Sequence, residues 1–361
     1  MKKSTQGYLP TLDGWRAIAI AAVILDHLVA GSQREYPRLF SLTRIGSNGV
    51  SLFFAISGFL ICSRLLEEEQ VWGRISLKGF YVRRACRILP AAMVYLLVIG
   101  LLGLTGAITV TGWEWWSSAL FFRNYLPLQW IQRGWGGYTI HYWSLAVEEH
   151  FYLLWPTILV LVGKGRAKYV AGSAALAIGI WRWWDFRHQW FSQHVPGLLF
   201  PSRTDVRLDA LLIGCLGALL LQKAAFRAWA ERRFGTPIWV LCVVTYSLIQ
   251  ILSRKHHYTL WESSLLLLIV AGTVVRPQSW MSSLLERPVV SRIGRLSYSL
   301  YLWQQFFFVA ELRYPFAWIQ VFPWNVAMLF LTATISYQYV ERPMVRLGHK
   351  IAPPSTPGRS R

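Results

Sequence analysis

The stretch LDGWRAIAIAAVILDHL, residues 12–28, decides how the chain folds. It is apolar enough to cross a bilayer, yet it carries Arg16 near one end and His27 near the other. A charged side chain inside a spanning helix costs roughly 2.5–3.5 kcal/mol, so such residues usually have a function. The separation of eleven residues amounts to roughly 1100° on a helix, which puts both side chains on one face, roughly 16 Å apart along the axis. The alternative is that Arg16 reaches a lipid headgroup and His27 lies at the opposite interface.

The composition of the whole chain is that of an integral membrane protein. Hydrophobic residues make up 54% of its 361 residues and charged residues only 15%, with a mean hydropathy of +0.36. Apolar runs of about 18 residues recur along it, which predicts an all-α, polytopic transmembrane bundle of about ten spans. Residues 1–350 are expected to form one membrane-embedded domain, and 351–361 a short polar tail that is disordered at its end.

The net charge of +20 could indicate nucleic acid, but the Lys and Arg residues fall in short segments between apolar runs. Topology and anionic lipid headgroups explain this distribution better, so no nucleic-acid partner is expected. With the N-terminus inside, the inner segments hold 23 Lys and Arg and the outer segments 11. This bias predicts that both termini and the 67–87 segment are cytoplasmic. The four cysteines lack paired spacing, and neither a disulfide framework nor a metal site is indicated.

Two further groups of charged residues accompany apolar runs. Arg83, Arg84 and Arg87 cluster on one side of a helical turn, a pattern that suits the phosphates of a nucleotide-bearing donor. The alternative is that arginines simply mark an inner helix end. In HYWSLAVEEHFYLLWP, residues 141–156, Ser144 and Glu148 share a helix face, and Glu149 lies about 100° off it. A carboxylate at membrane depth is expected to meet a cation, whether in a site or in a structural ion pair.

Further candidates have equally open interpretations. The pair Ser57-Gly58 forms a small notch where another helix or a ligand could approach. Charges of both signs in RTDVRLDALLIG, residues 203–214, suggest a buried network that could be purely structural. The loop tryptophans, among them Trp113 and Trp183, are expected to form an interfacial belt, with sugar stacking as the alternative.

Together these stretches resemble the acyltransferase-3 family, integral membrane enzymes that O-acylate glycans. The stretches that carry the resemblance follow the family's order from Tyr8 to Pro343. They are LDGWRAIAI with a histidine eleven residues after the arginine, FFAISGFLI, FYVRRACRILP, HYWSLAVEEHFYLLWP, RLDALLIG, LSYSLYLW and the closing VERP. Singly most are weak motifs, but jointly they are specific.

The resemblance implies a ten-span helical fold, an acyl-CoA donor (usually acetyl-CoA) taken from the cytoplasm, and a sugar hydroxyl as acceptor. It implies that His27 is the essential histidine and that Arg16, Glu148, Arg84 and Arg87 are functional positions. We therefore expect His27, Arg16 and Glu148 to be catalytic and Arg84 and Arg87 to bind coenzyme A. The expected location is a bacterial-type inner membrane, crossed many times.

Three features depart from the family pattern. Gln304 stands where members often have histidine, Asp26 replaces an uncharged residue before His27, and no C-terminal esterase-like domain follows the last span. Asp26 lies about 100° round the helix from His27 and need not be its partner. The first two departures put the role of position 304 and the environment of His27 in question.

The predicted function is transfer of an acyl group from cytoplasmic acyl-CoA to a carbohydrate hydroxyl at the cell surface or on a lipid-linked glycan. Acetyl is the acyl group that we expect. The alternative is a polytopic transporter of a lipid-linked sugar or organic acid, with the same buried charges acting as a relay. Transporters commonly contain internal repeats with broken helices in matched positions. The sequence shows no such repeat, which favours the enzyme.

Overall fold

The structure is a computed structural model that describes residues 9–31, 45–127, 130, 137–195, 197, 202–252, 260–309 and 316–353. Helices dominate these ranges, and none of them contains a strand, so the prediction of an all-α fold is confirmed. In chain order the α-helices are α1 (Pro10–Gly31), α2 (Ile45–Trp72), α3 (Leu77–Leu104), α4 (Gly112–Ala119), α5 (Tyr142–His188), α6 (Trp190–His194), α7 (Leu208–Leu221), α8 (Ala224–Arg233), α9 (Thr236–Leu252), α10 (Leu260–Val275), α11 (Trp280–Leu285), α12 (Pro288–Phe308), α13 (Trp324–Ser336) and α14 (Arg342–Ile351). The predicted polar tail lies mostly outside the described residues.

Each apolar run that the sequence predicts as a span overlaps a helix. Helices α2, α3 and α5 are individually long and apolar enough to cross a membrane, and the bent pair of α7 and α8 would add a fourth crossing. The protein is therefore a polytopic helical membrane protein, and the number of about ten spans stays a prediction.

The start of the third span differs from the sequence-based expectation. The sequence places Pro90 in the first turn of that span, but α3 already begins at Leu77 and Pro90 lies inside it. The Ser76 hydroxyl caps this helix by accepting a hydrogen bond from the backbone N–H of Gly79, at 3.1 Å. Proline is tolerated within membrane helices because neighbouring groups satisfy the freed carbonyl. The basic segment RRACR consequently belongs to the helix rather than to the loop before it.

Spans four and five are continuous in the structure as α5. The helix is interrupted at Gly163, whose φ of 71° and ψ of 155° are accessible mainly to glycine. The two halves of α5 therefore behave as separate helical segments joined at a kink, which fits their prediction as two spans.

Helix α1 packs against both α2 and α12. Helices α1 and α12 run parallel, because the backbone of Asp13 lies against Gly294 near their starts and the His27 ring lies 6.3 Å from that of Phe308 near their ends. The two pairs have the same offset in sequence, so α1 and α12 stay in one register. Residues of α1 and α12 that have this offset therefore lie at the same depth in the bundle, and a residue that contacts α12 can be placed by the α12 residue it contacts.

Helices α2 and α7 cross at two glycines. A Cβ atom on Gly58 would overlap the carbonyl oxygen of Leu211, and one on Gly214 would overlap that of Ala55. Small residues allow this approach of backbones in a membrane, where helix association depends on close packing. The predicted notch at Ser57-Gly58 is confirmed as a helix contact.

We expect Gly58→Ala to lower the free energy of unfolding by about 1–3 kcal/mol, because the added methyl group forces α2 and α7 apart. Thermal unfolding of the purified protein in detergent measures this change. Gly172→Ala is the matched control, since its new Cβ would meet only the Leu216 side chain, at an ordinary 3.8 Å. Equal stability of the two variants would contradict the tight crossing.

Segments that the sequence predicts on one side of the membrane meet in the structure. On the predicted inner side, the Arg276 guanidinium donates to the carbonyl oxygen of Glu231 at 2.9 Å. On the predicted outer side, the Asn124 amide donates to the Thr204 hydroxyl at 2.8 Å. Contacts between segments of the same predicted side agree with spans that cross the membrane in alternating directions.

Candidate active site

A small cavity of about 80 Å³ lies within the bundle where α1, α2, α3, α5 and α12 converge. We call it the central cavity. The charged side chains that line it are Arg16, Arg84, Arg87, Glu148 and Glu149. The structure thus brings together all but one of the site residues predicted from the sequence, although they come from separate stretches of the chain.

Glu148 is held by a neighbouring helix. The Ser57 hydroxyl of α2 donates a hydrogen bond to Glu148 Oε1 at 2.7 Å. Ser144 and Tyr152, which the helical spacing predicts on the same face of α5, line the cavity with Glu148. The predicted shared face of α5 is therefore confirmed, and Ser57 in the notch of α2 hydrogen-bonds to it through Glu148.

Glu149 also lines the central cavity, although the sequence places it about 100° off the stripe. Its Oε1 atom is buried and has no hydrogen-bond partner among the described residues. The arc of α5 that faces the cavity is consequently wider than the stripe predicted from spacing alone.

The arginines of the central cavity differ in how they are held. Arg16 lies 3.7 Å from the carboxylate of Asp13, one turn earlier on α1. The Arg84 guanidinium lies over the Tyr152 ring, 4.1 Å from its centroid, and its Nε atom has no hydrogen-bond partner. In the part of the chain that the structure describes, no direct ion pair within 4.0 Å is formed by Arg84 or Arg87. Arg84 is within electrostatic reach of the two glutamates of the central cavity, and Arg87 is within reach of Glu341. These two guanidiniums are thus available to an anionic ligand.

A larger space of about 660 Å³ adjoins the central cavity on the predicted cytoplasmic side, and we call it the vestibule. Arg16, Arg84 and Arg87 line both spaces and so connect them. The arginines that line the vestibule are Arg16, Arg64, Arg83, Arg84, Arg87, Arg295 and Arg342, and the acidic residues are Asp13, Glu67, Glu68 and Glu341. The excess of arginines gives the vestibule a positive potential suited to anions.

Arg295 and Arg342 are absent from the site predicted by sequence. Arg295 precedes the apolar part of α12, and Arg342 belongs to the closing VERP, so the sequence marks both only as inner-side charges. The positive field is also felt by His349 on α14, outside the spanning segments. Partial burial, together with Arg83 and Arg87, lowers the pKa of His349.

Arg83 has a different environment from the two arginines that follow it. It forms an ion pair with Glu68 at 2.9 Å and donates to the carbonyl oxygen of Ala352 at 3.2 Å. The three guanidiniums that spacing predicts as one cluster therefore divide into a structural one, Arg83, and two that face the central cavity, Arg84 and Arg87.

His27 lies outside the lining of both spaces. Its Nδ1 atom is 2.8 Å from the carbonyl oxygen of Val23, and its ring faces Phe308. Because α1 is one continuous helix, His27 lies roughly 16 Å further along it than Arg16, as predicted. Asp26 packs against Gly46 on α2 and so is turned away from this face.

Most charges of the 203–214 stretch form ion pairs, and the Arg207 guanidinium donates to the Ser51 hydroxyl at 3.2 Å. Arg182 makes a bidentate pair with Asp209, at 2.8 and 3.0 Å, and Arg203 pairs with Asp185 at 2.8 Å and with Asp205. The side chains of Arg182 and Arg203 are buried and satisfied. The network joins α5 to α7, which favours the structural interpretation.

The tryptophans that the sequence places in loops, Trp113 and Trp183 among them, lie in helices α4 and α5 and are largely exposed. Trp113 and Trp183 expose 57% and 66% of their surface, whereas Trp115 donates from its indole N–H to the carbonyl oxygen of Leu96. Exposed indoles suit a membrane interface, as predicted, and also leave sugar stacking open.

These features define a class of protein: a helical membrane protein in which a basic vestibule opens on a charged cavity within the bundle. The sequence profile of the family described as an acyltransferase domain matches residues 9–340. The chain therefore belongs to the acyltransferase-3 family, as its motifs predict.

Several curated relatives match along nearly the whole chain. A candidate O-acetyltransferase of Staphylococcus aureus (strain COL) is 30% identical over 381 residues, which cover 95% of this chain and 58% of that protein. Peptidoglycan O-acetyltransferase OatA of Listeria monocytogenes is 28% identical, with 96% and 58% covered. O-acetyltransferase OatA of Staphylococcus aureus (strain NCTC 8325) is 26% identical, with 95% and 58% covered. The chain thus spans 58% of the length of these relatives. No solved structure matches it.

Membership in the family decides between the two function classes that the sequence left open. The prediction of an O-acyltransferase is confirmed at the level of the family, and the transporter is not supported. Within the described residues, no group of three or more His, Cys, Asp or Glu side chains could hold a metal ion. The roles of the individual site residues stay predictions.

Proposed function

We propose that the protein transfers an acetyl group from cytoplasmic acetyl-CoA to a hydroxyl of a cell-surface or lipid-linked carbohydrate. The observation that carries this proposal is the connection of the vestibule to the central cavity through Arg16, Arg84 and Arg87. A donor with phosphates at one end and a reactive thioester at the other fits such a path from a wide basic mouth to a narrow polar interior.

The vestibule would hold the phosphate-bearing part of coenzyme A. Guanidinium groups bind phosphate oxygens through parallel hydrogen bonds, and Arg84 and Arg87 have no competing ion pair among the described carboxylates. The central cavity, at about 80 Å³, is much smaller than the vestibule, at about 660 Å³. It would instead admit the thiol arm, with Arg16 and Glu148 steadying the donor.

His27 would act as the general base. A sugar hydroxyl is a poor nucleophile at neutral pH, and histidine is the side chain whose ordinary pKa, near 6.5, best matches removal of its proton. His27 lies toward the end of α1 that is predicted to face outward, where an acceptor would arrive. An acetyl-histidine intermediate is the alternative to direct transfer.

The acceptor is inferred from the names of relatives. One is named a peptidoglycan O-acetyltransferase, and the chain covers 58% of it. We therefore propose a glycan hydroxyl of the cell envelope, with peptidoglycan as the first candidate.

The test is to incubate the purified protein with isotopically labelled acetyl-CoA and soluble peptidoglycan fragments, and to search for O-acetylated product by mass spectrometry. Lipid-linked glycans form a second acceptor set, and protein carrying His27→Ala is the negative control. We expect labelled ester with at least one set. Labelled product from neither, with coenzyme A bound normally, would contradict the proposed acceptor class.

We further propose a bacterial inner-membrane location with both termini in the cytoplasm, on the basis of 23 inner against 11 outer Lys and Arg residues. A reporter that is active only in the cytoplasm should be active when it is fused after residue 350, and one that is active only outside the cell should be inactive there. Activity of the second reporter at that point would overturn this topology.

A further inference from the structure

His141 is a buried imidazole without a well-formed hydrogen bond to any of the described residues. It directly precedes α5, is 3% exposed, and is enclosed by the rings of Tyr95, Tyr142 and Tyr301 at 5.3, 5.0 and 5.7 Å. Neither of its ring nitrogens makes a well-formed hydrogen bond within the described ranges, although the backbone of Leu302 is a polar neighbour. Buried polar groups are nearly always satisfied, so this ring calls for a ligand or water.

The His141 ring is not part of the lining of the central cavity but adjoins it through Tyr301. Tyr301 lines the central cavity, contacts the His141 ring, and donates to the His141 carbonyl oxygen at 3.3 Å. Phe308, seven residues further along α12, contacts His27. Seven helical residues rise about 10 Å, so the two imidazoles contact α12 at levels that differ by about that depth. They are also close enough to interact electrostatically.

Gln304 lies between these two levels of α12. It is 1% exposed, and its Oε1 atom has no hydrogen-bond partner among the described residues. It follows Tyr301 by three residues and precedes Phe308 by four, which puts all three on one face of the helix. The interval between the two imidazoles is therefore polar, although it lies within the bundle.

We propose that His141 is a second catalytic residue, which donates a hydrogen bond to the carbonyl oxygen of the acyl thioester while His27 receives the acceptor's proton. This inference rests on the proposed function. The imidazole supplies one N–H in either neutral tautomer. Two hydrogen bonds of about 3 Å and an attack distance of about 3 Å add up to about 9 Å, comparable with the rise of about 10 Å between the two levels of α12 that the rings contact.

In this site the acceptor hydroxyl displaces coenzyme A from the carbonyl carbon of the thioester. The hydroxyl oxygen bonds to the thioester carbon, its proton passes to His27, and the negative charge that develops on the carbonyl oxygen is held by the His141 N–H. The carbonyl double bond then re-forms as the carbon–sulfur bond breaks. Coenzyme A leaves as a thiolate and receives the proton from the His27 imidazolium, directly or through water, which returns His27 to its neutral form.

The test compares His141→Phe, which keeps a ring but loses the N–H, with His141→Asn, which keeps an N–H donor. Removing a single donor of this kind typically lowers kcat about 10²–10³-fold. We expect that loss in the Phe variant, with KM for acetyl-CoA within a few-fold of wild type, and at least a tenfold recovery in the Asn variant. His150→Phe is the control, since His150 Nδ1 is already 2.7 Å from the Thr204 hydroxyl.

Retention of more than a tenth of wild-type kcat in His141→Phe would overturn the proposal. Equal losses in the Phe and Asn variants, with coenzyme A bound normally, would overturn it too, because the ring would then act by packing. If the Phe variant fails to bind coenzyme A, His141→Leu takes its place in the same comparison with Asn. Absence of transfer by the wild type would instead count against the proposed function, which keeps the two failures distinct.

Discussion

Replacing His27 by alanine should lower acetyl transfer by about 10²–10⁴-fold, because general-base catalysis typically contributes that much to the rate. Without the imidazole, the proton of the acceptor hydroxyl has no acceptor of suitable pKa as the oxygen attacks the thioester. Initial rates of labelled ester formation by purified protein, at saturating donor and acceptor, measure the loss.

Affinity for coenzyme A should change little in the same variant. His27 lies outside the lining of both the vestibule and the central cavity, so its removal leaves the proposed donor contacts in place. His188→Ala is a matched control, since His188 is exposed and its Nδ1 atom lies 2.9 Å from the carbonyl oxygen of Trp184. Transfer by His27→Ala above about a tenth of the wild-type rate would fall far short of the expected loss and exclude His27 as the base.

The grouping of Arg16, Arg84, Arg87 and Glu148 as functional positions was implied by the resemblance to the family, and physical rules explain why each of them needs a partner. Charges within spans are costly, so each marks a position that must meet a partner or a ligand. Helical periodicity then fixes which of them share a face, as for Glu148 with Ser144. These local rules were sufficient for the shared face because each residue lies on a regular helix.

Other parts of the site depend on packing between helices that are distant in sequence. Arg295 lines the vestibule because α12 packs against α1. Arg83 also lines it, but its guanidinium is paired with Glu68 of α2. Nothing in the sequence distinguishes His141 from His150 in the same stretch. The lack of a well-formed hydrogen bond at His141 becomes visible only when Tyr95 and Tyr301 are brought around it.

The second large effect concerns the donor. Replacing Arg84 and Arg87 together by alanine should weaken binding of coenzyme A by at least about a hundredfold, because each lost phosphate contact costs about 1.5–3 kcal/mol. Both guanidiniums line the vestibule and the central cavity, and among the described residues neither is neutralised by a direct ion pair. Calorimetric titration with coenzyme A at fixed ionic strength measures the change.

The double variant with lysines should recover only part of this affinity, since an ammonium group cannot reproduce the planar, two-pronged donor of a guanidinium. Arg166→Ala combined with Arg232→Ala is the matched control: it removes the same charge from predicted inner segments that line neither space. If bulk charge alone attracted the donor, both double variants would weaken binding equally. Wild-type affinity in the Arg84 and Arg87 double variant would show that these arginines serve only to orient the chain in the membrane.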